Sequence, residues 1–248
     1  MNPALEILAP GLHTSVQDLG RIGWQAIGVP VSGALDSPAL RLANCLVGNP
    51  PGAAALEILL AGPRLLVAAE RVRLALAGAD ARLVIAGALP RTVPAWRSVC
   101  LVRGDVASVV VGRRAACCVL AVEGGIAVPD VLGSASTYGR AAIGGFAGRP
   151  LRGGDRLPLA LGVAPERTEL RLPDPPPSAE EQAIRIVLGP QQDCFTDVAL
   201  GRLCEAEYRI SASADRMGMR LDGPPLPHRR RRGSWPQSAR KNPYRPGP

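Results

Sequence analysis

Apolar and polar residues alternate along this chain in short bursts, separated by glycine and proline. Val72, Leu74 and Leu76 alternate with Arg71, Arg73 and Ala75, a period of two that predicts a half-buried antiparallel strand. Comparable runs at residues 5–8, 56–60, 65–68, 83–86, 99–102 and 109–111 predict more strands, at spacings near those of a barrel or sandwich. Residues 117–122 form a fuller apolar run and a candidate central strand. It ends at Glu123, Gly124 and Gly125, where the glycine pair allows a bulge or a close backbone approach. A turn at Gly153, Gly154 and Asp155 precedes another strand at 157–161. One helix interrupts the series. Ser37 is its expected N-cap and Pro38 its first residue, with Ala39, Leu42, Ala43, Leu46 and Val47 on one face and Gly48 as its stop.

The proline run at residues 173–181 cannot join a central sheet and reads as a semi-rigid linker. It divides the chain into a main β domain at 1–172, a linker at 173–182, the start of a second β subdomain at 183–227, and a tail at 228–248. In the second part Ile184, Ile186 and Leu188 alternate as a strand. Residues 191–203 are expected to hold a short helix with Phe195, Val198 and Leu203 inward, and 208–211 to be extended.

Composition narrows this picture. The 28 glycines and 25 prolines suit a turn-rich β protein, and with few aromatic residues the core must be built from Ala, Val, Leu and Ile. The formal charge of +8 belongs to the tail, where Arg229, Arg230, Arg231, Arg232, Arg240, Lys241 and Arg245 face no acidic residue. Without an aromatic stacking platform the tail reads as a solvated segment and not a nucleic-acid site. Lys241 is the only lysine, so the body offers neither a Walker A lysine nor a Schiff base. Phosphates must there be held by arginine, backbone N–H groups and metal. Six cysteines without a C-x-x-C pair, and only His13 and His228, predict no zinc site. The cysteines read as small buried apolar residues of a reducing compartment. With no signal sequence or long apolar run, a soluble cytoplasmic protein is expected.

Candidate chemistry gathers in residues 17–49. Gln17, Asp18 and Arg21 sit among Gly20 and Gly23, and the turn pair Ser32-Gly33 leads to Asp36 and the helix start. Such loops can display polar groups to a small molecule or anion. Asp18 and Arg21 could equally be a local ion pair holding a turn. A second polar stretch, 133–149, carries Ser134, Ser136, Thr137, Arg140 and Arg149 among glycines, and reads either as an anion cradle or as a glycine-rich hairpin. Asp215 and Arg216, near Gly218, form a third constellation or a paired turn.

These strings together resemble one family. They are residues 17–21, 28–36 and 43–49, then Leu56-Glu57-Ile58, Glu123-Gly124-Gly125-Ile126, Gly133-Ser134 with Thr137, and residues 213–218. The family is that of KipA, also known as allophanate hydrolase subunit 2 or the C-subunit of 5-oxoprolinase, and it includes half of the carboxyltransferase part of urea carboxylases. The resemblance spans about residues 5–227. It implies a mainly β, cyclophilin-like barrel architecture with few short helices, incomplete at the C-terminus. After residue 228 the family pattern does not continue, which reads as truncation or a frameshift that would leave a sheet edge open.

The resemblance further implies a component of an ATP-dependent 5-oxoprolinase, working with a KipI-type sister subunit and a lactam-hydrolysing subunit. ATP with Mg would activate the lactam before ring opening. The alternatives are a biotin-dependent urea-type carboxyltransferase half, in which biotin is the cofactor, and a non-catalytic regulatory partner of a KipI-type protein. Neither a membrane nor nucleic acid is an expected partner, and no metal ligands are assigned. Gln17, Arg21, Ser32, Gly33, Ser134, Thr137 and Arg216 would then bind substrate. Asp18, Asp36 and Asp215 are the candidate catalytic carboxylates, with no single general base among them. Asn44, Asn49 and Glu57 read as structural partners.

Overall fold

The computed structural model describes residues 2–112, 116–176, 184–211, 216 and 218–229. The chain forms two compact units, Met1–Ala179 and Glu180–Pro248.

Unit 1 is mainly β. In chain order its elements are β1 (Ala4–Ala9), β2 (His13–Gln17), α1 (Ser37–Leu46), β3 (Ala55–Leu59), β4 (Arg64–Val67) and β5 (Arg71–Ala77). There follow β6 (Arg82–Ala86), β7 (Arg91–Pro94), β8 (Arg97–Val102), β9 (Val106–Val110), β10 (Cys117–Val122) and β11 (Arg156–Pro158). One sheet has the order β11-β1-β4-β9-β6-β7 and the other β2-β3-β10-β5-β8. Both sheets are open, so among the described residues no barrel closes. Leu5, Ile7, Leu65 and Leu83 from the first sheet and Leu56, Leu74, Leu76, Val99 and Leu120 from the second share one core.

β5 departs from the half-buried reading. Val72, Leu74 and Leu76 enter the core between the sheets, but Arg73, Ala75 and Ala77 are buried as well. The second face of the sheet carries Ala55, Ala75, Ala77, Val119 and Ala121, and α1 lies on it through Ala39, Leu40, Ala43, Leu46 and Val47. Small side chains let the helix approach, so the period of two here separates two packed layers and not core from water. Full burial of Leu40 alone contributes roughly 1.5–3 kcal/mol relative to exposure.

α1 starts one residue earlier than Ser37 and Pro38 suggested. Asp36 is the N-cap, its Oδ1 accepting from Ala39 N at 2.8 Å, and Ser37 and Pro38 occupy the first helical positions. Gly48, at φ 74°, follows the last turn. β2 and β7 were not visible as apolar patterns. β2 is a polar edge strand whose His13, Ser15 and Gln17 share a face with Leu59, Glu57 and Ala55 of β3. β7 is short and ends at Pro94. Of the cysteines, Cys118 is fully buried while Cys45 and Cys204 are exposed, which corrects the expectation that all are core residues.

Unit 2 holds α2 (Asp197–Glu205), capped by the Thr196 hydroxyl accepting from Ala199 N at 3.1 Å, and a small hairpin of β12 (Arg209–Ile210) and β13 (Leu221–Asp222). Residues 184–188 are exposed and in no strand, despite their alternation. Alternation is local, whereas a strand needs a hydrogen-bonded neighbour. In α2 the buried residue is Ala199, and Val198 points outward at 66% exposure. Among the described residues no helix is long and apolar enough to cross a membrane.

Candidate functional site

Just beyond the end of β2, two loops lie back to back. Arg21 N donates to Val31 O at 2.8 Å, and Ala34 N donates to Asp18 O at 2.9 Å. The approach needs glycine at two positions. Gly20 sits at φ 92°, and a Cβ there would lie 2.6 Å from Val31 O. Gly33, at φ 87°, would bring one to 3.0 Å from the Leu19 carbonyl carbon. Ser32 itself adopts φ 56°, a left-handed conformation sustained by the two flanking hydrogen bonds.

Asp18 draws in a third loop. Its Oδ1 accepts from Gly20 N at 2.7 Å, from Ser134 Oγ at 2.7 Å and from Ser136 Oγ, and its Oδ2 accepts from Ala135 N at 2.7 Å. Burial works to raise its pKa, but the hydrogen bonds from Ser136, Ser134, Gly20 and Ala135 together outweigh that and hold it below the ordinary carboxylate value. Four donors and a depressed pKa make Asp18 an anionic clamp, a geometry that leaves it little basicity at neutral pH.

Thr137 continues the same loop onto the edge of β2. Its N–H and its Oγ1 both donate to Val16 O at 2.9 Å. Gln17 Nε2 donates to Ser15 Oγ at 3.0 Å and to Thr137 O at 3.3 Å, and its Oε1 is buried without a hydrogen-bond partner. Gly145 closes this corner, since a Cβ there would lie 1.9 Å from Thr137 Oγ1.

Arg21 is fully buried, yet it forms no ion pair with Asp18. Its Nε donates to Val131 O at 3.4 Å and its Nη2 to Ser136 O, while Nη1 is buried with no hydrogen-bond partner. A desolvated guanidinium without a carboxylate is costly unless an anion shares its surroundings. Asp36 is occupied as the α1 cap, and the preceding Leu35 N donates to Glu57 Oε2 at 2.7 Å, on a carboxylate with no exposure. Asn44 and Asn49 bond each other at 3.0 Å and tie the end of α1 to Ala53 O, Val122 O and Gly124 N.

Gln17, Asp18, Arg21, Ser134 and Thr137 are thus linked in one polar cluster, against which the Ser32-Gly33 turn packs. Arg216 belongs to unit 2, between β12 and β13, and Asp215 lies outside the described residues. In the sequence Ser136 stood only as one hydroxyl of the 133–149 stretch, and Arg73, which lies outside this cluster, only as a polar position of β5. Ser136 bonds Asp18 in both directions, and Arg73 is buried against Glu123. Alternate hydroxyls at 134 and 136 were the available signal for the first, because alternate residues of extended chain face one way. A second arginine, Arg167, reaches the same Glu123 at 2.9 Å.

The family model for the carboxyltransferase domain, subdomain A and B, matches residues 27–247. The chain belongs to this carboxyltransferase-domain family. Among its relatives is the C-subunit of the Escherichia coli 5-oxoprolinase, 36% identical, with 88% of this chain and 68% of that protein aligned. A urea amidolyase from Saccharomyces cerevisiae is 34% identical over 89% of this chain. The carboxyltransferase-domain chain spans only 12% of that much longer protein. The crystal structure of the Kluyveromyces lactis urea carboxylase superposes with a TM-score of 0.77 at 32% identity, over 93% of this chain and 21% of the other.

Proposed function

We propose that this chain is the C-subunit of an ATP-dependent 5-oxoprolinase. The observation that carries the reading is its match to the Escherichia coli C-subunit, of which this chain covers two thirds at 36% identity. A lactam carbonyl is a poor electrophile. Transfer of the ATP γ-phosphoryl group to its oxygen releases ADP and gives an imidate-like phosphate; water then adds at that carbon more readily, phosphate leaves, and cleavage of the ring C–N bond gives glutamate. Such a reaction needs a cation near developing oxyanion charge and a rigid frame to orient a small polar substrate. The uncompensated Arg21 guanidinium fits the first need, with Gln17 beside it, and the Asp18–Ser134–Ser136 clamp fits the second. The partners in this reading are a KipI-type sister subunit and a lactam-hydrolysing subunit, in the cytoplasm.

Reconstitution tests it. With both partner subunits present, adding this chain should produce 5-oxoproline-dependent ATP hydrolysis and glutamate. No stimulation over the partners alone sinks the reading.

A second reading is favoured by the urea amidolyase and urea carboxylase relatives, in which a stretch like this one is a small part of a long chain. There the same cluster would orient a urea-type nitrogen toward carboxybiotin carried on another domain. Carboxylation of urea with a biotin carboxylase and carrier present, in place of lactam turnover, would select it. A tight complex that turns over neither substrate would select the regulatory role.

A further inference from the structure

One loop of unit 1 displays apolar side chains to solvent with no charge among them. Residues 22–30 leave the body as a closed loop, pinned at its base where Arg21 N donates to Val31 O at 2.8 Å. A 3-10 turn at Gln25–Ile27 shapes the tip, with Gly28 N donating to Gln25 O at 3.0 Å and Val29 N to Trp24 O at 3.2 Å. Trp24 Nε1 donates to Leu132 O at 3.1 Å and fastens the loop to the neighbouring turn. The loop is thus held in one shape, yet much of it stands clear of the other described residues. Ile22 is 76% exposed and Ile27 70%, and Trp24 and Leu132 are exposed beside them. A Cβ added at Gly23 or Gly28 would find no atom within 4 Å.

The four side chains together expose on the order of 400 Å² of apolar surface, a size at which patches on monomers are often functional. Charge narrows what can cover them. No residue from 22 to 35 is charged. Segments that lie on a membrane surface flank their apolar residues with Lys and Arg, which this loop lacks. A different protein is normally selected by complementary charge at the contact, and the loop offers none. A two-fold contact with a second copy has the opposite need. There each patch meets itself, so charge would repel and a neutral surface suits. We propose that the 22–30 loop and Leu132 pack against the same loop of a second copy, in an isologous dimer centred on Ile22, Trp24 and Ile27. The patch is smaller than the roughly 800 Å² per partner of a standard interface, so the dimer dissociates in the micromolar range. This contact goes beyond the lactam reading, which needs no second copy of the chain.

Sedimentation velocity on the full chain across the micromolar range tests it, with Ile22→Glu, Ile27→Glu and Ile27→Lys variants and Leu89→Glu, an exposed site in the β6–β7 turn, as control. The parent should pass from monomer to dimer with rising concentration. Either loop glutamate should move that midpoint upward by at least about tenfold, because like charges are brought together. Leu89→Glu should leave it unchanged. Dilute samples of all variants should melt with the parent, since the replaced side chains are exposed. Mixing Ile27→Glu with Ile27→Lys should restore a dimer, which a merely damaged loop would not do. A parent that stays monomeric throughout overturns the proposal, and so does a dimer that the loop glutamates leave intact or a mixture that stays apart. A monomeric parent whose loop variants lose binding to the sister subunit, or to phosphatidylcholine vesicles, overturns it in favour of that occupant. Lactam-dependent turnover by the assembled complex is scored separately, so failure of the dimer and failure of the lactam reading are told apart.

Discussion

Asp18 and Ser136 are bound to each other twice. The Ser136 hydroxyl donates to Asp18 Oδ1, and the Asp18 N–H donates to Ser136 Oγ at 3.0 Å. This reciprocal pair joins the loop after β2 to a segment more than a hundred residues later, and it fixes the frame around Arg21. Replacing Asp18 by alanine strands the N–H groups of Gly20 and Ala135 and two hydroxyls. The expected loss is about 1–3 kcal/mol in urea unfolding, the range for a partly buried charged acceptor with several donors.

The same clamp gives a pH signature. The Asp18 pKa is lower folded than unfolded, because hydrogen bonds outweigh desolvation. Its stabilisation is therefore complete above the unfolded carboxylate value and is lost as pH falls through the lower folded value. The stability gap between the parent and Asp18→Asn should stay constant through neutral pH and narrow in acid, below about pH 4. A gap that instead grows as the pH falls would mean that the folded pKa is raised, and Asp18 would regain the role of a base.

Arg21 separates its scaffold role from the binding role proposed for it. Its Nε and Nη2 hold the carbonyls of Val131 and Ser136, while Nη1 is unfilled. Arg21→Met should lower stability by only about 1–3 kcal/mol, since two carbonyls lose donors but a buried charge disappears. In an active complex the same variant should raise KM for an anionic substrate far more than the melting temperature shift accounts for. Arg21→Lys should not rescue it, because an ammonium cannot span two carbonyls and an anion in one plane.

Much of this was legible in the chain. The strand series, α1 and the motif set that marks the family are local patterns, and local patterns survive in sequence. What was hidden depends on partners. β2 reads as polar because Ser15 and Gln17 are buried against Glu57 and Thr137, an environment that no hydrophobic count can see. The second buried face of β5 required knowing that α1 returns onto Ala75 and Ala77. Asp36 resembled a catalytic carboxylate in sequence, and its observed partner is the Ala39 N–H of its own helix. The alternation at Ile184, Ile186 and Leu188 carried no information about a neighbouring strand, and none pairs with it among the described residues.

Glycines test the loop packing directly. Gly145 (φ 55°) faces Thr137 Oγ1 at 1.9 Å from a would-be Cβ, whereas Gly23 (φ 99°) faces nothing within 4 Å. Gly23→Ala should cost only the backbone strain, about 1 kcal/mol. Gly145→Ala adds a collision with a buried hydroxyl that already bonds Val16 O, and should cost at least about 3 kcal/mol. Similar unfolding midpoints for the two variants would show that the 133–148 loop is not packed against β2 as described.

Arg73 supplies the last test, because it is a buried cation that does have its carboxylate. Its Nη1 meets Glu123 Oε2 at 3.0 Å, its remaining contacts are the carbonyls of Pro165 and Arg167, and Arg167 holds the other oxygen of Glu123. Removing Glu123 alone leaves Arg73 charged and without its counter-ion under the 164–172 segment. Glu123→Leu alone should therefore destabilise by roughly 3–5 kcal/mol, whereas adding Arg73→Met to it should recover much of that loss, as buried pairs replaced by apolar residues do. A double-mutant cycle by chemical denaturation measures the coupling. Additive single losses would mean that the pair contributes nothing beyond its carbonyl bonds, and the contrast with the uncompensated Arg21 would lose its physical basis.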